Sequence, residues 1–532
     1  SLGNITKFDI DETTGNVRSI TNAKNYKISL NYNNIGDLSK LYDNKREVNF
    51  IYGENNNLSK IISKNRTYNF VYDEFNNMNL IKINNNVLLK MTYDNSNNLI
   101  NENFGNKYNV NYVYDVFDRI SKKIKDDCTF NYFYDNFGNL VEVKNDFIST
   151  KFLYDYANRI CGKVFKDINE NLFSTKYIYN NSSAIINTKY FLNYNQFIKT
   201  LANINMEYDK NNNISKIINN LDTFKYNYDE IGRLSSLILN NNELFKIEYV
   251  SNGNNTSTLI KSIKYDKLLY EYLYDKVSNI IDIKLNNKLY KHFEYDEINQ
   301  LISENNYIDS ITWRYYYDLN NNIIRKDKCK INSYDIIETI KYEYSSVNPD
   351  VITKYNDDLI ESDAYGNPVK IGNKVLEWKN GKELCSITDN GNNINYTYNC
   401  DGLRVSKIVN NIERYHYYDN NKIVAEKINN NIIHYLRDTK GNLIGFTYND
   451  EKYYYIKNIQ EDITGILDKD LNLIAKYFYD SWGKVEKICD ANGNLIVDNT
   501  NIAIINPFRY KGYYYDNESG LYYTNNRYYN PN

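Results

Sequence analysis

At 532 residues, with 42% hydrophobic and 25% charged residues, the chain has the composition of a soluble globular protein and not of a disordered one. Its net charge is −3 with both signs interspersed, so no basic stripe supports nucleic-acid binding. No apolar run approaches the roughly 18 residues of a membrane helix, and no signal segment opens the chain.

With 57 Tyr and 21 Phe, and few strong helix formers, β propensity dominates. The abundance of Asn has two sources, a low-GC coding genome and turn chemistry. Cys128, Cys161, Cys329, Cys385, Cys400 and Cys489 lie far apart and form no C-x-x-C pair. That speaks against a zinc site or a small disulfide scaffold, and mostly buried free thiols are expected. The opening Ser1-Leu2-Gly3 reads as a domain boundary, so the chain is expected to be a piece of something larger.

Taken from the N-terminus, the chain repeats itself. Tyr72-Asp73, Tyr93-Asp94, Tyr114-Asp115, Tyr134-Asp135 and Tyr154-Asp155 follow one another at steps of 21, 21, 20 and 20 residues. The pattern returns at Tyr208-Asp209, Tyr228-Asp229, Tyr274-Asp275, Tyr295-Asp296 and Tyr317-Asp318. It degrades in between, yet Asp363-Ala-Tyr-Gly366-Asn367 and Tyr398-Asn-Cys-Asp401-Gly402-Leu403-Arg404 keep the turn.

The unit at 131–143 explains the rest. Tyr132 and Tyr134 alternate and share one strand face. Asp135 can close an Asx turn, Gly138 and Asn139 tolerate positive φ, and Leu140 starts the returning strand. Each repeat is therefore a β-hairpin or two strands of a meander. About 25 units would give about 50 strands, and a flat sheet of that length must curl, close or spiral. At ~4.8 Å per strand the ribbon would be roughly 240 Å long, and wound about twice it would enclose a lumen on the order of 10⁴ Å³. Only four prolines occur and no Pro/Gly/Ser linker, which favours one continuous body.

The tyrosines read as cross-strand stabilisers before they read as a ligand surface. Turns such as Asp490-Ala491-Asn492-Gly493-Asn494 lack the Glu of a calcium loop. His292, His416 and His434 form no H-x-x-x-H pair and are expected at ordinary sheet positions, and no nucleotide or serine-hydrolase fingerprint is found. No cofactor or metal is expected.

From about Tyr453 the pattern changes. Tyr477-Phe-Tyr-Asp480-Ser-Trp482-Gly483-Lys484-Val485 is followed by Asn506-Pro507-Phe508-Arg509-Tyr510-Lys-Gly512. The chain ends on the tyrosine-rich run to Asn532, which contains the acidic turn Asp516-Asn517-Glu518-Ser519-Gly520 and Arg527. Here the chain resembles the YD-repeat, or Rhs, family, whose core domain reads approximately Y-D-x-W-G-x-V, P-F-R-Y-x-G, Y-Y-D-x-E-[ST]-G-L-Y-Y and R-Y-Y-[DN]-P. The resemblance places repeats at 1–452 and the core domain at 453–532.

The resemblance implies an all-β array of YD-repeat hairpins that spirals into a hollow shell or part of one. In bacterial members, toxin-complex C components and polymorphic Rhs toxins among them, the shell encloses a C-terminal toxin, and the core domain is an aspartyl autoprotease that frees it. The animal teneurins are distant relatives. Carried over by motif, Asp516 would be one acidic member of that site, with Arg509 and Arg527 as supporting cations. Two departures stand out: the family's following G-R-[FW]-x-x-x-D-P-x-G element is not within the chain, and position 530 is Asn where many members have Asp. No self-cleavage is therefore expected of residues 1–532 alone; only a longer parent could be a self-cleaving enzyme. The expected role is the encapsulating and delivering scaffold of a secreted or surface-borne bacterial toxin. Its partners would be its own toxin cargo and another shell-forming chain or a secretion-system component. The alternative is a wall-associated, carbohydrate-binding adhesin.

Overall fold

The computed structural model describes residues 5–126, 128–220, 222–252, 255–438 and 440–532. Forty-six strands belong to one antiparallel sheet in which successive strands pair, and three short strands near the C-terminus form a second sheet. The only helical segments among the described residues are Ile502–Ile505 and the single turn Tyr510–Gly512. This is the all-β hairpin array that the repeat predicts.

The repeat unit is defined by hydrogen bonds. Strand Cys128–Tyr134 returns as Leu140–Lys144, with a bulge between Phe133 and Tyr134. Asp135 Oδ1 accepts the backbone N–H groups of Phe137 and Asn139, each at 2.9 Å, which is the expected Asx closure. Gly138 sits at φ +87°, where glycine has no Cβ penalty. Asn139 does not share that left-handed conformation. Its side chain instead donates to Asp135 Oδ2 at 3.0 Å and to Asn158 of the next turn at 2.6 Å. The same turn-to-turn bond joins Asn77 to Asn97 and Asn279 to Asn299.

The tyrosine that precedes many of these turns has a matching task. Tyr134 donates its hydroxyl to the Ile120 carbonyl at 2.9 Å, fourteen residues upstream. Tyr52 does so to Leu38, Tyr72 to Leu58, Tyr154 to Leu140, Tyr228 to Ile214 and Tyr398 to Leu384, at the same offset. Phenylalanine would pack there but leave that carbonyl without its donor, so the hydroxyl is what the repeat selects.

The chain divides into two compact units whose segments interleave along the sequence. Residues 1–111, 248–262 and 268–376 form the first, and 112–247, 263–267 and 377–532 the second. Residues 453–532 lie wholly in the second.

Within each unit, distant stretches of the ladder meet. In the first, Arg46 donates to Asn321 and Tyr68 to Asp350. In the second, Lys125 pairs with Glu383 at 2.7 Å, Tyr417 donates to Asp167 at 2.8 Å, and the rings of Phe173 and Tyr417 stack at 5.2 Å. The closing residues 502–529 pack on strands 423–488 through Phe508, Tyr510, Tyr514 and Tyr522, with Ala503 buried beside them. Strands between residues 404 and 448 are accordingly covered and hold many fully buried side chains, Arg404, Tyr417 and Phe446 among them. All six cysteines are free, three buried and three half-buried.

Candidate functional site

The site forms where the closing segment meets strands Arg404–Val409, Ile412–Asp419 and Lys422–Ile428. Strand Tyr514–Asp516 pairs with Leu521–Tyr523 across the turn 517–520, closed by Gly520 N–H donating to the Asp516 carbonyl. This hairpin carries Asp516 to the strands, where its side chain has no exposed surface.

Two cations hold it. Arg404 reaches the Asp516 carboxylate with both terminal nitrogens, at 2.5 and 3.2 Å, and Lys407 Nζ lies 2.8 Å from Oδ1. Lys407 also pairs with Glu518 at 2.7 Å. The Arg404 guanidinium lies over the rings of Tyr396, Tyr514 and Tyr523, and its backbone N–H donates to the Tyr523 hydroxyl. Burial alone would favour protonated Asp516, but Arg404 and Lys407 outweigh it and hold the carboxyl well below the usual carboxylate range. Glu518 is shifted down by the same lysine against its own burial.

A second cluster continues the first. Glu426, fully buried, accepts from Tyr435 at 2.9 Å and Tyr514 at 3.2 Å and faces Arg414 at 3.7 Å. Burial pushes its carboxyl up, against the pull of Arg414. His416 contacts the Arg404 carbonyl through Nδ1 and the Tyr514 hydroxyl through Nε2. Burial and then the Arg404 charge drive its pKa well down, so the imidazole is neutral.

The two cations expected from the motif are placed differently from Arg404 and Lys407. Arg509 donates to Asn517 at 2.8 Å and lies over the Tyr515 ring, so it fixes the turn beside Asp516. Arg527 is exposed, and its carbonyl closes a turn with Thr524. Arg404 and Lys407 supply the charges that touch Asp516. Their signal in sequence is a charged pair on a returning strand, where Val141 and Ser121 follow Leu140 and Ile120 in other repeats.

This arrangement holds the ionised Asp516 carboxylate away from water. Among the described residues, no group of three or more His, Cys, Asp and Glu side chains converges as a metal site.

No family model matches the chain. Over 201 residues, 36% of the chain, it is 30% identical to the tRNA nuclease WapA of Bacillus subtilis strain 168. It is 32% identical over the same length to the tRNA(Glu)-specific nuclease WapA of Bacillus subtilis subsp. natto. Each match spans 8% of the relative's length. Among solved structures, 99% of the chain superposes on TcdB2-TccC3-Cdc42 with a TM-score of 0.71 and 14% identity, covering 32% of that chain. TcdB2-TccC3-TEV gives a TM-score of 0.61 at 15% identity, also over 32% of its chain. The strand ladder has the fold of these structures, and the repeat unit and closing segment are consistent with the YD-repeat, or Rhs, resemblance read from the sequence.

Proposed function

We propose that this chain is part of the β-shell of a secreted or surface-borne Rhs-type toxin, a scaffold that holds a toxin cargo and presents it for delivery. The observation that carries this reading is the closing segment. Residues 502–529 are folded onto strands 404–488 and locked there by a buried ion cluster, as an end piece of a scaffold would be. The likeness to TcdB2-TccC3 and to two WapA nucleases supports a toxin-related context for the fold.

Asp516 fits the ionised member of a carboxylate pair. Aspartyl chemistry needs a second carboxyl that carries the shared proton. Glu518 and Asp516 are both held ionised, Asp516 by Arg404 and Lys407 and Glu518 by Lys407, so Glu518 does not supply that proton.

Intact mass of the parent protein carrying its natural residues beyond Asn532, with and without Asp516→Asn, tests both parts. Two co-purifying fragments, with the smaller one protected from added protease, support a self-processing scaffold. A single chain in both versions, with the downstream segment digested freely, refutes it.

A further inference from the structure

Arg437 stands where the repeat has tyrosine. It precedes Asp438, whose Oδ1 accepts the Asn442 backbone N–H at 2.8 Å, as Asp135 accepts that of Asn139. Its Nε donates to the Ile423 carbonyl at 3.0 Å, fourteen residues upstream. Tyr398 and Tyr418 make the same bond in the two preceding hairpins of that edge. Tyrosine would therefore satisfy the carbonyl without a charge, and what the arginine adds is the cation.

That cation is held in place and left unpaired. Nη1 donates to the Gly441 carbonyl at 2.8 Å, and the Phe508 ring of the closing segment lies 5.1 Å from the guanidinium. Arg404 and Arg414, on nearby strands, face Asp516 and Glu426. Among the described residues no carboxylate pairs with Arg437, and its Nη2 has no acceptor. Burial pulls its pKa down to about 10, so it stays charged at neutral pH.

The guanidinium lines a cavity of about 330 Å³ between strands Phe197–Tyr208 and Ile214–Asn219 on one side and the hairpins at 419–422 and 437–441 on the other. Ile204, Met206, Ile217 and Val424, all buried, give it an apolar wall. Its charged lining falls into two sets. Asp419 accepts from Tyr177, Tyr190 and Lys163, and Asp438 from the backbone and side chain of Asn442, so both carboxylates are satisfied within the protein. Arg437 is not, and Lys422 and Lys440 are exposed beside it at the mouth. Cavities of about 480 and 340 Å³ beside the two preceding hairpins carry Tyr418 and Tyr398 in the slot of Arg437. Gaps of this size thus accompany the stacking of hairpins on strands, but an unpaired cation does not.

We propose that the Arg437 cavity binds a small organic monocarboxylate, with the carboxylate on Arg437 Nη2 and the apolar body against Ile204, Met206, Ile217 and Val424. The volume lies in the range of small-molecule sites, roughly 300–1,000 Å³. The fixed guanidinium is organised before binding, and Lys422 and Lys440 favour the entry of an anion. Asp419 and Asp438 line the same space and disfavour a phosphate dianion. The site does not depend on the presence of a toxin cargo.

Isothermal titration calorimetry of the purified chain tests this with three probes: phenylacetate, phenethyl alcohol, which lacks the charge, and inorganic phosphate, which lacks the apolar body. Phenylacetate should bind, and each of the others should bind at least about tenfold more weakly, the factor that a charge-assisted hydrogen bond or a buried ring supplies. Arg437→Tyr gives the slot the residue of the other hairpins. It should weaken phenylacetate binding by about tenfold or more and leave the thermal midpoint unchanged or raised. Arg437→Lys should retain part of the binding. Met206→Trp, which fills the cavity from the opposite wall and leaves Arg437 intact, should abolish binding with an unchanged far-UV circular dichroism spectrum. A wild type that binds no phenylacetate up to about 10 mM overturns the proposal. So does binding that survives Arg437→Tyr or Met206→Trp, or phosphate binding tighter than that of phenylacetate. An Arg437→Tyr variant less stable than the wild type overturns it as well, because the arginine would then serve the wall itself.

Discussion

Replacing Asp516 by asparagine keeps the shape of the side chain and removes its charge. In the wild type that charge neutralises Arg404, which has no exposed side-chain surface, and Lys407, which is 2% exposed. After substitution Lys407 keeps Glu518, but Arg404 is left buried with only the Tyr528 hydroxyl and a neutral amide oxygen to accept from it. Breaking a buried pair by removing one partner typically costs about 3–5 kcal/mol, far more than an exposed pair. The cost falls on the docking of residues 502–529, because Asp516 and the Tyr514, Tyr523 and Tyr528 rings that cover Arg404 all belong to that segment, and undocking returns the guanidinium to water. A free-energy loss of that size raises the undocked population by roughly 10² to 5 × 10³-fold. Hydrogen exchange at Tyr514, Tyr515, Tyr522 and Tyr523 should accelerate by that factor, while amides of strand Asn431–Arg437 keep their rates. Arg404→Met/Lys407→Met/Asp516→Leu should recover much of the loss, since no charge is then stranded. Unchanged exchange in Asp516→Asn, or a triple variant worse than the single one, would refute the reasoning.

Acid should weaken the second unit before it touches this ion cluster. His434 is buried, and its pKa is lowered from 6.5 to about 4, first by burial and then by the Arg437 charge. The unfolded chain takes up the proton near 6.5 and the folded one only near 4, so stability is full above 6.5 and is lost as pH falls through that window, by about 3 kcal/mol at most. Asp516, with its pKa depressed, keeps its contribution down to the ordinary carboxylate range and loses it only below. Urea midpoints at pH 7.5 and 5 should therefore differ less in His434→Phe than in the wild type, and an equal shift in both would count against the assignment. Separately, Tyr134→Phe removes the bond to the Ile120 carbonyl and should cost about 1 kcal/mol in chemical denaturation, whereas Phe133→Tyr, on the outward face, should change little; equal effects of the two would deny the hydroxyl its role.

The repeat is legible because each unit closes on itself or on its immediate neighbour. Asp135, Gly138 and Leu140 do their work within a few residues, and the Tyr134 bond spans only fourteen. Asn139 reads as a left-handed backbone position because Asn tolerates that conformation by type, but its side chain is needed by Asp135 and Asn158. The ion cluster is not legible for a different reason. Arg404 and Asp516 are 112 residues apart, and their meeting depends on how far the ladder has advanced when the closing segment folds back. Arg509 and Arg527 belong to the same motif as Asp516 and lie near it in sequence, yet proximity along a short hairpin sends one to Asn517 and the other to solvent.

The closing segment is held by something other than a ladder. Its strands Tyr514–Asp516, Leu521–Tyr523 and Tyr528–Tyr529 are three, three and two residues long, too short to fix register by pairing alone. Its tyrosines supply the address instead. Tyr510 donates to the Ser481 carbonyl, Tyr529 to Trp482 and Tyr522 to Gly483, three consecutive carbonyls of one turn read by three hydroxyls. Gly483 leaves no room for error there: a Cβ would come 2.4 Å from the Tyr510 ring. A purely apolar contact of the same area would tolerate a slip by one residue, because burial is non-directional. A slip here would strand three hydroxyls and at least one buried charge together. The tyrosine richness of the last thirty residues and the buried cluster at Asp516 therefore serve one end, a single docked position for the segment that closes the array.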